Sequence, residues 1–155
     1  MQNDEIILKL IEQNITISTA ESCTGGLLGK IITSVPGASS IYGYGFITYA
    51  NEAKVRLLGV SPETLEKYGA VSHQTACEMA QGAKKVSGSD IAVSVTGIAG
   101  PGGGTQEKPV GLVYIAIAYN NAVEFKKLNL KGNRDEVRAQ TCDNVFELIR
   151  ESLEF

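Results

Sequence analysis

At 155 residues the chain has room for one domain with a core of its own, above the size at which small folds need disulfides or metals. Hydrophobic residues make up 43% and charged residues 20%, ordinary globular values, and no segment reaches the ~20 apolar residues of a bilayer-spanning helix. A net charge of -3, with Lys and Arg dispersed, gives no electrostatic footprint for DNA or RNA, so any phosphate recognised belongs to a small molecule. The opening MQNDEIILKL carries acidic residues where a secretory leader carries basic ones. Cys23, Cys77 and Cys142 are odd in number and lack CxxC spacing. Both features lead us to expect a reduced, cytoplasmic setting, with no metal and no cofactor.

In chain order, residues 4–13 pattern as a helix with Ile6, Ile7, Leu10 and Ile11 on one face. Ile15, Ile17 and Thr19 alternate as on a half-buried strand. Leu27, Leu28, Ile31 and Ile32 then recur at helical spacing, which makes TAESCTGG (19–26) a strand-to-helix turn. That second helix must stop before Pro36 and Gly37. Ile41 to Tyr49 reads as a strand rich in aromatics and glycine, and Asn51 to Leu58 as a helix ended by Gly59. Ser61 and Pro62 cap and begin a short helix to Tyr68, and Ser72 precedes a longer one through Val86. Ile91 to Val95 is a compact apolar strand of the kind buried on both faces. A glycine-rich loop follows from Thr96 to Pro109. Val110 to Tyr119 and Val123 to Leu130 form a hairpin about Asn120 and Asn121. Gly132 to Asp135 turns into a last helix, whose apolar face includes Val137, Cys142, Val145, Leu148, Ile149 and Leu153. The order predicts an α/β fold, a layered α-β-α domain over 1–155 with helices covering a mixed sheet.

Three strand exits carry the chemistry. The first holds Glu21, Ser22, Cys23, Thr24, Gly25 and Gly26. Backbone N–H groups at a helix start have no internal partners, so those of 23–26 are expected to face a phosphate or a developing oxyanion; the alternative is that Ser22 or Thr24 merely caps the helix. The second exit places Tyr49 and Lys54 five residues apart. A desolvated lysine held neutral can take the proton of a serine without any histidine, and Tyr49 can relay that proton, hydrogen-bond the lysine or protonate a leaving amine. Taken alone, Lys54 also fits a solvated helix face. At the third exit Thr96 leads into Gly97 and Gly100, a loop that lets backbone approach a ligand closely but lacks the ending of a Walker motif. Arg134 and Arg138, one turn apart at the start of the last helix, fit either an anion or surface carboxylates. His73, the single histidine, is expected to be exposed and outside any triad. Cys23 is a weaker rival to Ser22 and is expected to point into the core. Glu21 is expected to orient the turn or a substrate hydroxyl.

With TAESCTGG, GFITYANEAK, SVTGIAGPGGG, EKPVG at Glu107 to Gly111 and GNRDEVR at Gly132 to Arg138, the sequence closely resembles the CinA carboxy-terminal domain family over nearly its whole length. The resemblance implies an amidohydrolase, of the kind described for stand-alone nicotinamide-nucleotide amidohydrolases, that converts nicotinamide mononucleotide to nicotinate mononucleotide and ammonia. It implies Ser22 as nucleophile, Lys54 as base, Tyr49 as its partner and Thr96 in the same site. Arg134 or Arg138 would neutralise the phosphate. Homodimers or larger homo-oligomers are implied as well. Two-domain CinA proteins also have an amino-terminal domain resembling molybdopterin-binding proteins, so an activity like ADP-ribose pyrophosphatase is not expected here. Two other readings stay open: a nucleotide-binding or regulatory module without turnover, and an amidase for another small phosphorylated carboxamide.

Overall fold

The computed structural model describes residues 1–155, and its strands are hydrogen-bonded into one mixed sheet. The elements are α1 (Asn3–Glu12), β1 (Ile17–Glu21), α2 (Leu27–Thr33), a 3₁₀ turn (Ala38–Ser40), β2 (Tyr42–Ile47), α3 (Asn51–Leu58), α4 (Pro62–Tyr68), α5 (His73–Ser87), β3 (Ile91–Gly97), β4 (Leu112–Tyr119), β5 (Ala122–Asn129) and α6 (Arg134–Leu153). Strand order is β2-β1-β3-β4-β5. β1 lies parallel to β2 and β3, whereas β3–β4 and β4–β5 are antiparallel. This is the layered α-β-α arrangement expected from the sequence.

Alternation along the strands sorts side chains by size as well as by face. Ile91, Val93 and Val95 of β3, with Val113, Ile115 and Ile117 of β4, join residues of α1, α2 and α6 in the main core of 23 buried residues. The opposite face carries Ala92, Ala116 and Ala118, which meet Ala76, Met79, Ala80 and Ala83 of α5. Small residues on both sides let α5 lie close to the sheet. Gly82 does the same for the contact between α5 and the end of α3, because a Cβ there would stand 1.8 Å from the Leu58 carbonyl oxygen.

Element ends differ from expectation by a few residues, and two differences bear on the site. β1 runs to Glu21, so Ser22 is the first residue beyond it. β3 continues through Thr96 and Gly97, which pair with Tyr114 and Val113. At the hairpin, Val110 and Gly111 fall outside β4; Gly111 has φ 93° and donates its N–H to the Ile98 carbonyl.

The crossover from β1 through α2 reaches β2 on one side of β1, and the crossover from β2 through α3, α4 and α5 returns to β3 on the other side. The direction of winding therefore reverses at β1, and the crevice beyond the carboxyl ends of such strands is where open α/β sheets bind ligands. Glu21 is level with both Ile47 and Val95. The three exits thus open side by side at one sheet edge.

Candidate active site

Glu21 is the last residue of β1 and is 2% exposed. Its carboxylate accepts hydrogen bonds from the Thr24 hydroxyl (2.7 Å) and from the N–H groups of Gly26 (3.2 Å), Leu28 (2.9 Å) and Gly29 (3.0 Å). Gly26, the residue preceding α2, has φ 109° and no side chain to cap the helix, so a carboxylate from the strand supplies the missing acceptor. This corrects the expectation for the turn. Gly26 spends its N–H on Glu21, and Gly25, at φ 58°, donates to the Ser22 carbonyl at 3.1 Å. Only the N–H groups of Cys23 and Thr24 meet no protein oxygen. Glu21→Ala removes four hydrogen bonds at once and leaves buried donors unpaired; we expect it to destabilise the fold by about 2–4 kcal/mol, measured by urea denaturation.

Ser22 itself is tied to β3 by its N–H, which donates to the Val95 carbonyl at 3.1 Å. Lys54 approaches from the first turn of α3. Its side chain is buried, with the residue only 1% exposed, and Nζ lies 3.2 Å from Ser22 Oγ, 2.7 Å from the Thr48 carbonyl oxygen and 3.3 Å from that of Tyr49. No carboxylate forms an ion pair with it. Burial of the charged form outweighs the opposing pull of the neighbouring Cys23 thiol and holds the Lys54 pKa below the ordinary lysine value. The hydrogen-bonding arithmetic fits a neutral amine: two N–H donors for the two carbonyls, and one lone pair left for the Ser22 hydroxyl.

Ser22, Cys23, Tyr49, Lys54, Thr96, Gly97 and Arg134 share one cavity of about 210 Å³, completed by Ala70, Val71 and Ala99. The remaining residues singled out in the sequence do not line it. Tyr49 offers Lys54 its backbone carbonyl, while its phenol lies outward, 61% exposed, and accepts from Arg134 Nη2 at 3.0 Å. Arg134 also donates to the Gly100 carbonyl at 2.6 Å, which joins the glycine loop to the cavity mouth. Thr96 donates to the Ala70 carbonyl at 2.8 Å. Arg138 turns away from the cavity and donates to the Thr24 carbonyl at 2.7 Å. The half-buried ring of His73 stacks on Phe125 at 4.4 Å between centroids.

Cys23 lines the cavity but is 6% exposed and joins the main core. Burial raises its thiol to about 11, outweighing its own backbone N–H and the nearby charges of Arg138 and Arg134, all of which pull it down. A thiol of that kind stays protonated and unreactive near neutral pH. Iodoacetamide at pH 7.5 is expected to spare Cys23 in the folded protein and to alkylate it in urea, as read by peptide mass spectrometry.

The wall from Gly69 to Val71 had no signature in the sequence. It is held by hydrogen bonds on successive carbonyls: Lys108 Nζ to Tyr68 (2.6 Å), Ser72 and Thr75 hydroxyls to Gly69 (2.9 and 2.7 Å), and Thr96 to Ala70. Lys108 lies in the EKPVG motif, so that motif marks a strap across the cavity wall.

The model of the CinA C-terminal domain family matches residues 2–153. The chain belongs to the CinA C-terminal domain family. It is 57% identical over 141 residues to a putative competence-damage inducible protein of Acetivibrio thermocellus, covering 91% of this chain and 34% of that protein. Against the like-named protein of Clostridium novyi it is 55% identical over 151 residues, covering 97% and 36%. The chain thus spans about a third of the length of the curated relatives it matches. Among solved structures, the competence/damage inducible protein of Agrobacterium tumefaciens superposes with a TM-score of 0.93 at 44% identity, covering 96% of this chain and 92% of that one. The competence damage-inducible protein A of Klebsiella pneumoniae gives 0.94 at 32%, covering 99% and 98%. The CinA-family fold is therefore shared over nearly the whole domain. No helix is long and apolar enough to cross a membrane.

Proposed function

We propose that this CinA-family domain hydrolyses the carboxamide of nicotinamide mononucleotide to nicotinate mononucleotide and ammonia, with Ser22 as nucleophile and neutral Lys54 as base. The observation that carries the reading is the buried Nζ of Lys54, 3.2 Å from Ser22 Oγ with no acidic partner. Ser22 Oγ attacks the carboxamide carbon as its proton passes to Lys54. The oxygen that becomes negative is taken up by the N–H groups of Cys23 and Thr24, the donors the turn leaves free. The tetrahedral intermediate collapses: the C–N bond breaks, Lys54 returns the proton to nitrogen, and ammonia leaves an ester on Ser22. Water then adds to that ester and gives its proton to Lys54. The C–O bond to Ser22 breaks, the acid departs, and the proton returns to Ser22.

A cavity of about 210 Å³ suits the pyridine carboxamide and leaves ribose and phosphate at the mouth, beside the Arg134 guanidinium. Two neutral oxygens, of Gly100 and Tyr49, hold that guanidinium. A phosphate would find it without competition from a carboxylate. Tyr49 serves Lys54 through its carbonyl in this reading. Thr96 serves by fixing Ala70.

The test is ammonia release from nicotinamide mononucleotide, compared with the nucleoside and with other carboxamide nucleotides. Turnover of the mononucleotide above the others supports the proposal. Binding in calorimetry with no ammonia over hours would make the domain a nucleotide-binding module, and preference for another carboxamide would reassign the substrate.

A further inference from the structure

Arg138 has no carboxylate partner and lies outside the cavity, yet its side chain is inserted against the turn that carries Ser22. Nη2 donates to the Thr24 carbonyl at 2.7 Å, and Nε is buried with no partner. A Cβ on Gly25 would stand 3.4 Å from Nη2, ordinary contact distance, so the guanidinium lies directly against the turn. A partly buried cation without a counter-ion is costly to hold in place unless something nearby gains from it.

The surrounding bonds show what it fixes. The Thr24–Gly25 peptide is held at both ends: its oxygen accepts from Arg138 Nη2 and, at 3.1 Å, from the Leu27 N–H, and its own N–H donates to the Ser22 carbonyl. The Thr24 hydroxyl is held by Glu21. With carbonyl and side chain both fixed, Thr24 has one free polar group, its N–H, which follows the N–H of Cys23 in a short run beside Ser22. The charge of Arg138 reaches this end of the turn, since it lowers the Cys23 thiol pKa against the effect of burial.

We infer that Arg138 is a positioning residue for the oxyanion site: through the Thr24 carbonyl it aims the Cys23 and Thr24 N–H groups, and its unpaired charge favours the anion formed there. This rests on the serine-nucleophile reading above, and it separates Arg138 from Arg134, which meets the substrate at the cavity mouth. Aiming of preorganised donors is worth most in the transition state, so the signature is a fall in kcat with KM little changed.

The experiment uses a small neutral phosphonofluoridate as probe. Ser22 Oγ forms a bond to phosphorus, the P–F bond breaks with loss of fluoride, and Lys54 takes the proton; labelling is followed by intact mass. Arg138→Met is expected to slow labelling about 10- to 100-fold, the scale of a small misplacement in a preorganised site, and to lower kcat for ammonia release similarly with KM within a few-fold. Arg138→Lys, which keeps a donor and the charge, should recover most of the rate. Should the Met variant fail to fold, Arg138→Gln against Arg138→Lys carries the same comparison, with Gln slow and Lys close to wild type. Equal labelling of wild type and Arg138→Met, with only thermal stability reduced, overturns the inference and leaves the nucleophile standing. A raised KM with kcat intact overturns it too, by making Arg138 a substrate contact. No labelling of wild type at Ser22 removes the nucleophile and this inference together.

Discussion

Ser22→Ala is expected to lower kcat for ammonia release by about 10³-fold or more while the domain stays folded, because no other group in the cavity can replace the attacking oxygen. The rival thiol of Cys23 is adjacent in sequence, but its pKa, raised to about 11, leaves it protonated. The Thr96 hydroxyl is committed to the Ala70 carbonyl, and the Tyr49 phenol lies at the mouth beside Arg134. Ser22 is buried, but the substitution removes a single oxygen whose partner is Lys54 Nζ. Its N–H bond to Val95 belongs to the backbone and survives the substitution. Circular dichroism and melting temperature should therefore be near wild type, and calorimetry should still detect nicotinamide mononucleotide. A rapid-quench experiment on wild type should show a burst of ammonia matched by an acyl adduct on the Ser22 peptide. An alanine variant that turns over at the wild-type rate would remove Ser22 as nucleophile.

The parallel pairing of β2, β1 and β3 explains why the site was legible before the structure. Short strands ending in polar and glycine-rich turns, each followed by a helical pattern, imply that several exits share an edge, and Ser22, Lys54 and Thr96 do meet there. Residue type alone does not say what each side chain touches. The sequence leaves Glu21 to orient either the turn or a substrate hydroxyl, and Arg138 to meet either an anion or surface carboxylates. In three dimensions one completes the start of α2 and the other fastens Thr24. Tyr49 is similar: its spacing to Lys54 suggested a phenol-to-amine contact, but the start of α3 turns the Tyr49 carbonyl toward Nζ and leaves the phenol outside. The wall at Ala70 and Val71 has no sequence signal because it acts through backbone position, which small apolar residues do not advertise. The turn has fewer free donors than its sequence implies, since Glu21 takes the N–H groups of Gly26, Leu28 and Gly29.

Lys54→Met tests the base without adding volume, and we expect it to reduce kcat about 10²- to 10⁴-fold. Lys54→Arg should be equally inactive although it keeps a basic side chain, because a guanidinium cannot give up its proton at working pH. The pH dependence supplies the stronger evidence. Wild-type activity requires the neutral amine, so kcat/KM should rise with pH through the Lys54 pKa of the folded enzyme, with the midpoint below the ordinary lysine value of about 10.4. That ascending limb should vanish in Lys54→Met, where any residual rate depends on other groups. Stability must follow the same titration. Burial lowers the folded-state pKa beneath the unfolded one, so between the two values the unfolded chain binds more protons. Below the folded pKa the wild type carries the full penalty of a buried charge, and the penalty disappears as pH climbs toward the unfolded value. The difference in unfolding free energy, wild type minus Lys54→Met, should accordingly increase with pH across that window, whatever offset the lost bonds to Thr48 and Tyr49 add. Urea titrations at a series of pH values measure it. A difference that stayed flat, together with a wild-type rate profile lacking the limb, would mean that Lys54 keeps an ordinary pKa and does not serve as the base.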